Sequence, residues 1–246
     1  SSTVALAGGL LQRAGRNVGT DLESTYAIVQ NAHRSVQGLG SGADVAASTF
    51  GGALVYAWHD HDPKIRMNTL ADTCAHLFHS ATSRTINVDA GTASLRHLSR
   101  VKPVVAVWTG EAASTTELVT MTRAFARAQP EVYAAIMLRL AEAAQEGIAA
   151  WEDDDQVALI NAIDRSACAL DDLGMHSGAP LVTPTHHQLN TFARFLGGIS
   201  KPTGAGGGDL AWVIGPPGMS NVELVEKLQE QGFKTWRFGI PGMGLH

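Results

Sequence analysis

Gly38-Leu39-Gly40-Ser41-Gly42-Ala43-Asp44-Val45-Ala46-Ala47-Ser48-Thr49-Phe50-Gly51-Gly52 is the stretch on which the reading turns. Gly38, Gly40 and Gly42 free the backbone for positive φ and for close approach to a bulky anion, because no Cβ stands in the way. Asp44 follows at once, and small residues then lead into the apolar run Ala53-Leu54-Val55-Tyr56-Ala57-Trp58. The pattern predicts a loop, a short turn of helix and a strand, which together make a cradle of backbone amides with one carboxylate at its exit. On its own such a loop is weak evidence, since most glycine-rich loops are tight turns.

Upstream, Thr20–Gln37 is expected to be a helix, because Leu22, Tyr26, Val29, His33 and Val36 recur at helical steps along one face. It delivers the chain into the glycine loop, so its last turns lie close to whatever the loop binds. Still earlier, Ser1-Ser2-Thr3 opens directly into Val4-Ala5-Leu6-Ala7-Gly8-Gly9-Leu10-Leu11. Hydroxyl residues at the head of an apolar helix are N-cap chemistry and leave amides aimed at what lies before them. A domain rarely starts on its first buried helix, so an N-terminal part of the natural protein is expected to precede Ser1.

Downstream, His59-Asp60-His61-Asp62 has a metal-binding composition. Alternating His and Asp before Pro63 reads instead as a solvated turn, with no partner cluster to close a site. Asn68–Ser83 is expected to be helical, with Leu70, Cys74 and Leu77 on one face, and Ile86–His97 to supply a strand and turn. Val104–Trp108 reads as a buried strand. It ends in Thr109-Gly110-Glu111-Ala112-Ala113-Ser114-Thr115-Thr116, where hydroxyls should cap a helix from about Glu117 to Ala128.

Helices are expected over Pro130–Gly147, with Val132, Ile136, Leu140 and Ala143 in register, over Asp155–Met175, and from Thr183-Pro184 to Leu196. Asp153-Asp154-Asp155 suits a helix start and solvent better than a metal. Lys201-Pro202-Thr203-Gly204-Ala205-Gly206-Gly207-Gly208-Asp209 then precedes a strand at Leu210–Ile214, and its glycines exceed what a tight turn needs. A helix over Ser220–Gln231 and a strand over Lys234–Phe238 close the chain. Strands and helices alternate without a regular period, which favours an α+β layered fold over a doubly wound one.

Composition narrows the function classes. The 246 residues are 45% hydrophobic, enough for one large domain or two small ones. A formal net charge of −5 without any basic tract gives no support to a nucleic-acid or anionic-membrane role. No apolar run reaches the roughly 18 residues of a membrane span, and no secretory signal is visible. Cys74 and Cys168 fit neither a disulfide framework nor a zinc site. A cytoplasmic protein is the expectation.

Taken together, four blocks resemble the GHMP kinase superfamily, and most closely its phosphomevalonate kinase branch. Ser1-Ser2-Thr3 looks like the tail of the family's Gly-Leu-Gly-Ser-Ser-Ala phosphate loop, cut upstream of its glycines. Ala32-His33-Arg34 with Gln37, then Gly40-Ser41-Gly42-Ala43-Asp44-Val45-Ala46, is similar to that branch's His…Gln…Gly-Ser-Gly-x-Asp-Val-Ala block. Trp108–Thr115 is similar to its Trp-Thr-Gly-x-x-Ala-Ser-Thr signature, and Lys201–Asp209 to its Lys-Pro-Ser-Gly-Ala-Gly-Gly-Gly-Asp loop with Thr203 for Ser. The blocks fall in family order across most of the chain, although residues 59–100 match no part of the pattern.

The resemblance implies a two-lobed α+β fold. Residues 1–100 would be the remainder of a ribosomal S5-like nucleotide- and phosphate-binding domain, truncated here, and residues 101–246 a ferredoxin-like C-terminal domain. It implies ATP and Mg2+ as cofactors and phosphorylation of (R)-5-phosphomevalonate to 5-diphosphomevalonate, on the mevalonate route to isoprenoids. The partner would be a small phosphorylated molecule, with no nucleic acid and no membrane, and a homodimer stays open.

Among the residues, Asp44 resembles the catalytic aspartate. Ser1 and Ser2 would meet the nucleotide phosphates and the Mg2+, with Gly40, Ser41 and Gly42 also on the phosphate side. Ser114, Thr115 and the Gly204, Ala205, Gly206, Gly207 and Gly208 amides would cradle the acceptor, and Asp209 would join or cap that loop. Arg34 and Lys201 are the candidate cations, each also readable as a surface charge. His33 stands where many relatives place a Mg2+-binding glutamate; imidazole is a poor ligand for that ion, so a core histidine and a phosphate contact both stay open. The rivals are another GHMP kinase, acting on mevalonate or a sugar, and an incomplete, non-catalytic module of the same fold.

Overall fold

The computed structural model describes residues 2–15, 21–37, 41–61, 83–89, 91–98 and 104–237. The chain divides into two compact units, one through Ser1–Val101 and the other through Lys102–Gly239.

In the first unit, helices α1 (Ser2–Arg13), α2 (Leu22–Gln37) and α3 (Ala43–Phe50) accompany strands β1 (Leu54–Asp60), β2 (Arg84–Val88) and β3 (Gly91–His97). The antiparallel sheet has the order β1-β3-β2. Burial alternates along β2 and β3, the mark of a sheet with one covered face. Ile86, Val88, Ala93 and Leu95 meet Tyr26, Val29, Val45 and Phe50 in one core, which Val4 of α1 joins. Asp21, not a hydroxyl residue, starts α2: its carboxylate accepts from the Ser24 amide at 3.4 Å. Val36, expected on the buried stripe, is 86% exposed. The helix outlasts the surface it covers, so periodicity continues one turn past its use. The helix expected over Asn68–Ser83 lies outside the described residues, apart from Ser83.

The second unit holds β4 (Val105–Trp108), then four helices: α4 (Thr115–Ala128), α5 (Pro130–Glu152), α6 (Gln156–Ser177) and α7 (Pro184–Phe195). β5 (Ile199–Pro202), β6 (Leu210–Ile214), α8 (Asn221–Glu230) and β7 (Lys234–Arg237) follow. The sheet order is β5-β6-β4-β7, antiparallel throughout. Each helical crossover therefore links parallel strands with one strand between them, the split βαβ arrangement of a ferredoxin-like fold. Val105, Val107, Ala211 and Val213 project onto Leu189 and Ala193 of α7 and Leu224 and Leu228 of α8. Trp212 and Trp236, on the alternate positions, are 38% and 45% exposed.

Three expectations need correction. Lys201-Pro202, expected in the loop, ends strand β5, whose edge position tolerates the proline's missing N–H. Ser114 precedes α4 but makes no side-chain cap; only its carbonyl is engaged, by the Leu118 amide at 3.1 Å. α5 runs on past Gly147 to Glu152, since Gly147 packs its bare Cα near Ala162 of α6. Asp155 does cap α6, accepting from the Ala158 amide at 2.9 Å. Asp155→Ala should therefore cost about 1 kcal/mol, read as a lowered urea midpoint; an unchanged midpoint would show that the cap contributes nothing. Among the described residues no helix is long and apolar enough to cross a membrane, and no group of three or more His, Cys, Asp or Glu could hold a metal ion. The Asp155 cap agrees with the reading of Asp153–Asp155 as a helix start.

Candidate active site

In the first unit the glycine loop enters α3 at Gly42, whose φ of 76° lies in the left-handed region. That φ strains any residue bearing a side chain, and a Cβ there would also sit 2.3 Å from the side-chain amide of Gln30, which would have to move. Gly42 accepts from the Ala46 amide at 2.8 Å, opening the helix. The Ser41 carbonyl accepts from the Tyr56 hydroxyl at 2.5 Å, and the Tyr56 oxygen lies 2.8 Å from that of Tyr26. Asp44 follows in the first helical turn, exposed, where the helix dipole favours a carboxylate.

Burial pushes the Tyr26 phenol up to about 12, with the Asp44 charge adding and Arg34 opposing. Burial also raises Tyr56, followed by the influence of Tyr26 and Asp44. Arg34 lies with its guanidinium carbon 4.9 Å from the centroid of the Trp58 ring, a cation–π contact. One carboxylate and one guanidinium thus act on the same pair of phenols.

In the second unit the two glycine-containing blocks meet. Thr109 donates its amide to the Asp209 carbonyl at 2.9 Å and its hydroxyl at 3.0 Å, and the Asp209 amide returns to Glu111 at 2.6 Å. Gly206 and Gly207 donate to Thr203 and Leu181 at 3.0 and 2.8 Å. Gly206 and Gly207 have φ of 76° and 79°, and a Cβ on Gly206, Gly207 or Gly208 would lie 2.2, 2.6 or 2.7 Å from its nearest neighbour. The glycine excess therefore has a packing reason: two loops and Leu118 approach more closely than side chains allow. The Gly204, Ala205 and Gly208 amides have no acceptor among the described residues. They lie in the loop that hydrogen-bonds to the segment before α4, whose first amides are also without intrahelical partners.

No protein-family model matches the chain. Phosphomevalonate kinase of Streptomyces sp. (strain CL190) is 28% identical over 209 residues, which is 84% of this chain and 53% of that protein. The chain thus spans about half the length of the curated relative it matches. Among solved structures, a protein from Listeria innocua matches with a TM-score of 0.77 at 24% identity, over 97% of this chain and 64% of its own. Streptococcus pneumoniae phosphomevalonate kinase, in complex with phosphomevalonate and AMPPNP, matches with 0.70 at 18% identity, over 96% and 66%. Mevalonate kinase of L. major, in complex with R-mevalonate, matches with 0.68 at 15%, over 96% and 63%. The fold is that of the GHMP kinases. In sequence the chain resembles a phosphomevalonate kinase.

On this GHMP kinase fold the expected residues fall into two groups, one in each unit. Ser41, Gly42, Asp44 and Arg34 gather around the α3 entrance. His33 is half-buried one turn before the end of α2, its Nδ1 enclosed without a hydrogen-bond partner among the described residues. Ser2 begins α1; Ser1 and Gly40 lie outside the described residues. In the second unit Ser114 and Thr115 are exposed beside the Gly204–Asp209 loop. Lys201 is half-buried in β5, and burial pushes its ammonium below the ordinary lysine value. No carboxylate among the described residues pairs with it.

Two features escape sequence reasoning. Gln30 is fully buried against Gly42, and among the described residues neither atom of its amide has a partner. Its place one turn after Tyr26 on the inner face of α2 was the available signal, but a polar residue there reads as solvent-facing. The second is a hollow of about 140 Å³ between α6, α7 and β5, lined by Cys168, His186, Asn190, Arg194, Ser200 and Pro202. Ser200 and Pro202 face it, so Lys201 between them points to the other side of the sheet. His186 lends Nδ1 to the Thr183 amide at 3.1 Å in a capping box and is pushed down by burial, which keeps it neutral.

Proposed function

We propose that the protein of which this chain forms part transfers the γ-phosphoryl group of ATP to (R)-5-phosphomevalonate, giving ADP and 5-diphosphomevalonate. The observation that carries this reading is the joining of the Thr109–Glu111 and Gly204–Asp209 loops, which leaves unpartnered amides beside the α4 start. Such an arrangement suits a phosphate-bearing acceptor. The likeness to the two phosphomevalonate kinases supports the same acceptor.

In this reading residues 1–100 hold the donor side and residues 101–246 the acceptor side. Ser1, Ser2 and the Gly40–Gly42 amides take the nucleotide phosphates; His33 and Arg34 add donors to phosphate oxygen; Ser114, Thr115, Lys201 and the Gly204–Asp209 loop take the acceptor. The described residues contain no protein-only cluster for a divalent ion. In this reading Mg2+ arrives on the nucleotide phosphates, with the Ser1 or Ser2 hydroxyl as its protein ligand. Bound there, that ion would supply charge neutralisation.

An oxygen of the acceptor phosphate attacks the γ-phosphorus, and the bond from that phosphorus to the β,γ-bridging oxygen breaks as ADP leaves. A phosphate monoester has a second pKa of about 6, so at neutral pH the attacking oxygen has already lost its proton. Asp44 then has positioning to do more than proton abstraction. Asp44→Asn should lower turnover about tenfold without moving the acid limb of the pH profile, which belongs to the acceptor phosphate. Wild-type turnover in that variant would remove Asp44 from the site. The substrate is tested by ADP release from the full-length protein with 5-phosphomevalonate, mevalonate or galactose. Turnover with only an unphosphorylated acceptor would overturn the assignment.

A further inference from the structure

We propose that Tyr56 is a positioning residue, holding the Ser41–Asp44 turn in its working geometry through the Ser41 peptide. This rests on reading that turn as part of the phosphoryl-transfer site. Among the described residues Gly42 enters α3 with no side-chain cap, its carbonyl accepts from the Ala46 amide at 2.8 Å, and the Ser41 hydroxyl accepts from the Ala43 amide at 3.3 Å. The contact that ties the turn to β1 is the hydrogen bond from the Tyr56 hydroxyl to the Ser41 carbonyl, at 2.5 Å. A phenol has one hydrogen to give. With that hydrogen committed to Ser41, the 2.8 Å contact between the two phenols must be donated by Tyr26 and accepted by Tyr56.

The direction of this relay has a consequence for the loop. The Ser41 carbonyl and the Gly42 N–H belong to one planar trans peptide and point in opposite directions. Drawing the carbonyl towards β1 aims the Gly42 amide away from it, as an anion cradle needs. Asp44 begins two residues later, so the same peptide plane sets where its side chain starts. Tyr26 is fully buried on α2, and Tyr56 is half-buried on β1. Two packed elements therefore hold the relay rigidly. Burial pushes both phenols up, which favours the protonated form that the relay uses.

The test combines exchange and kinetics on the full-length protein. In Tyr56→Phe, amide hydrogen exchange should rise about tenfold or more at residues 41–46 while β1 and β3 keep their protection, and turnover should fall about tenfold. Tyr26→Phe keeps the bond to Ser41 and should lose less than about threefold. Tyr56→Phe combined with Asp44→Asn should be no slower than Asp44→Asn alone, because both changes disable one unit. A residue that only stabilises the fold would give additive losses and exchange spread over the whole core. Unchanged exchange at residues 41–46, or additive losses, overturns the proposal. A wild type with no kinase activity would defeat the functional reading, and the exchange arm would still decide the role of Tyr56.

Discussion

Gly206→Ala should destabilise the chain by about 3–5 kcal/mol. The φ of 76° at this position costs a side-chain-bearing residue about 1–3 kcal/mol. A Cβ would in addition fall 2.2 Å from the Leu181 carbonyl oxygen, the acceptor of the Gly207 amide. Backbone cannot yield as a flexible side chain does, so the alanine must push the loop off Leu181 and break that hydrogen bond. An unpaired buried carbonyl adds about 1–3 kcal/mol.

Gly204→Ala is the control. Its φ of 55° is also left-handed, but nothing lies within 4 Å of where its Cβ would be, so the cost should be about 1 kcal/mol. Urea unfolding followed by circular dichroism separates the two. Equal midpoints for both variants would mean that the glycines serve backbone freedom alone and that the close approach to Leu181 is without energetic consequence.

That contrast also marks how far the sequence could be read. Glycine runs announced both loops, because few residues besides glycine make such demands on the backbone, and Asp44 at the exit of the first loop stood out for the same reason. What the run at Gly204–Gly208 could not disclose was its purpose. Much of it lets two stretches a hundred residues apart lie against each other, and the partners, Leu181 and Glu111, carry no local mark. The α+β layering and most helices were legible from periodicity. β5 was not, since four residues with a lysine and a proline have the composition of a loop, and pairing with β6 makes them a strand. Gln30 and Val36 failed in opposite directions: a polar residue sits fully buried, an apolar one stands in solvent, and burial in both cases depends on how far the neighbouring elements extend. Tyr56 has the sequence context of an ordinary apolar strand position. Its hydroxyl matters only because Ser41 is brought within reach.

Lys201→Met should make the ligand-free protein more stable and the acceptor about a hundredfold weaker to bind. An ammonium pushed below its ordinary value by burial, with no carboxylate partner among the described residues, is a cation that the fold accommodates at a cost. Methionine keeps most of the stem and removes the charge, so the cost disappears. An incoming phosphate would offset the same cost, and charge-assisted contacts of this kind contribute about 1.5–3 kcal/mol. The pH dependence has a definite sign. Between the lowered native value and the ordinary lysine value near 10.5, the unfolded chain binds more protons than the native one, so wild-type stability relative to Lys201→Met rises with pH across that window. Acceptor affinity needs the charged form and should fall over the lower part of the same range. Calorimetric titration of 5-phosphomevalonate, with inorganic pyrophosphate as a probe of the charge alone, measures one arm, and urea midpoints at several pH values measure the other. A methionine variant that binds both ligands as wild type does, or that is less stable than wild type at neutral pH, would make Lys201 a structural residue whose charge has no ligand to meet.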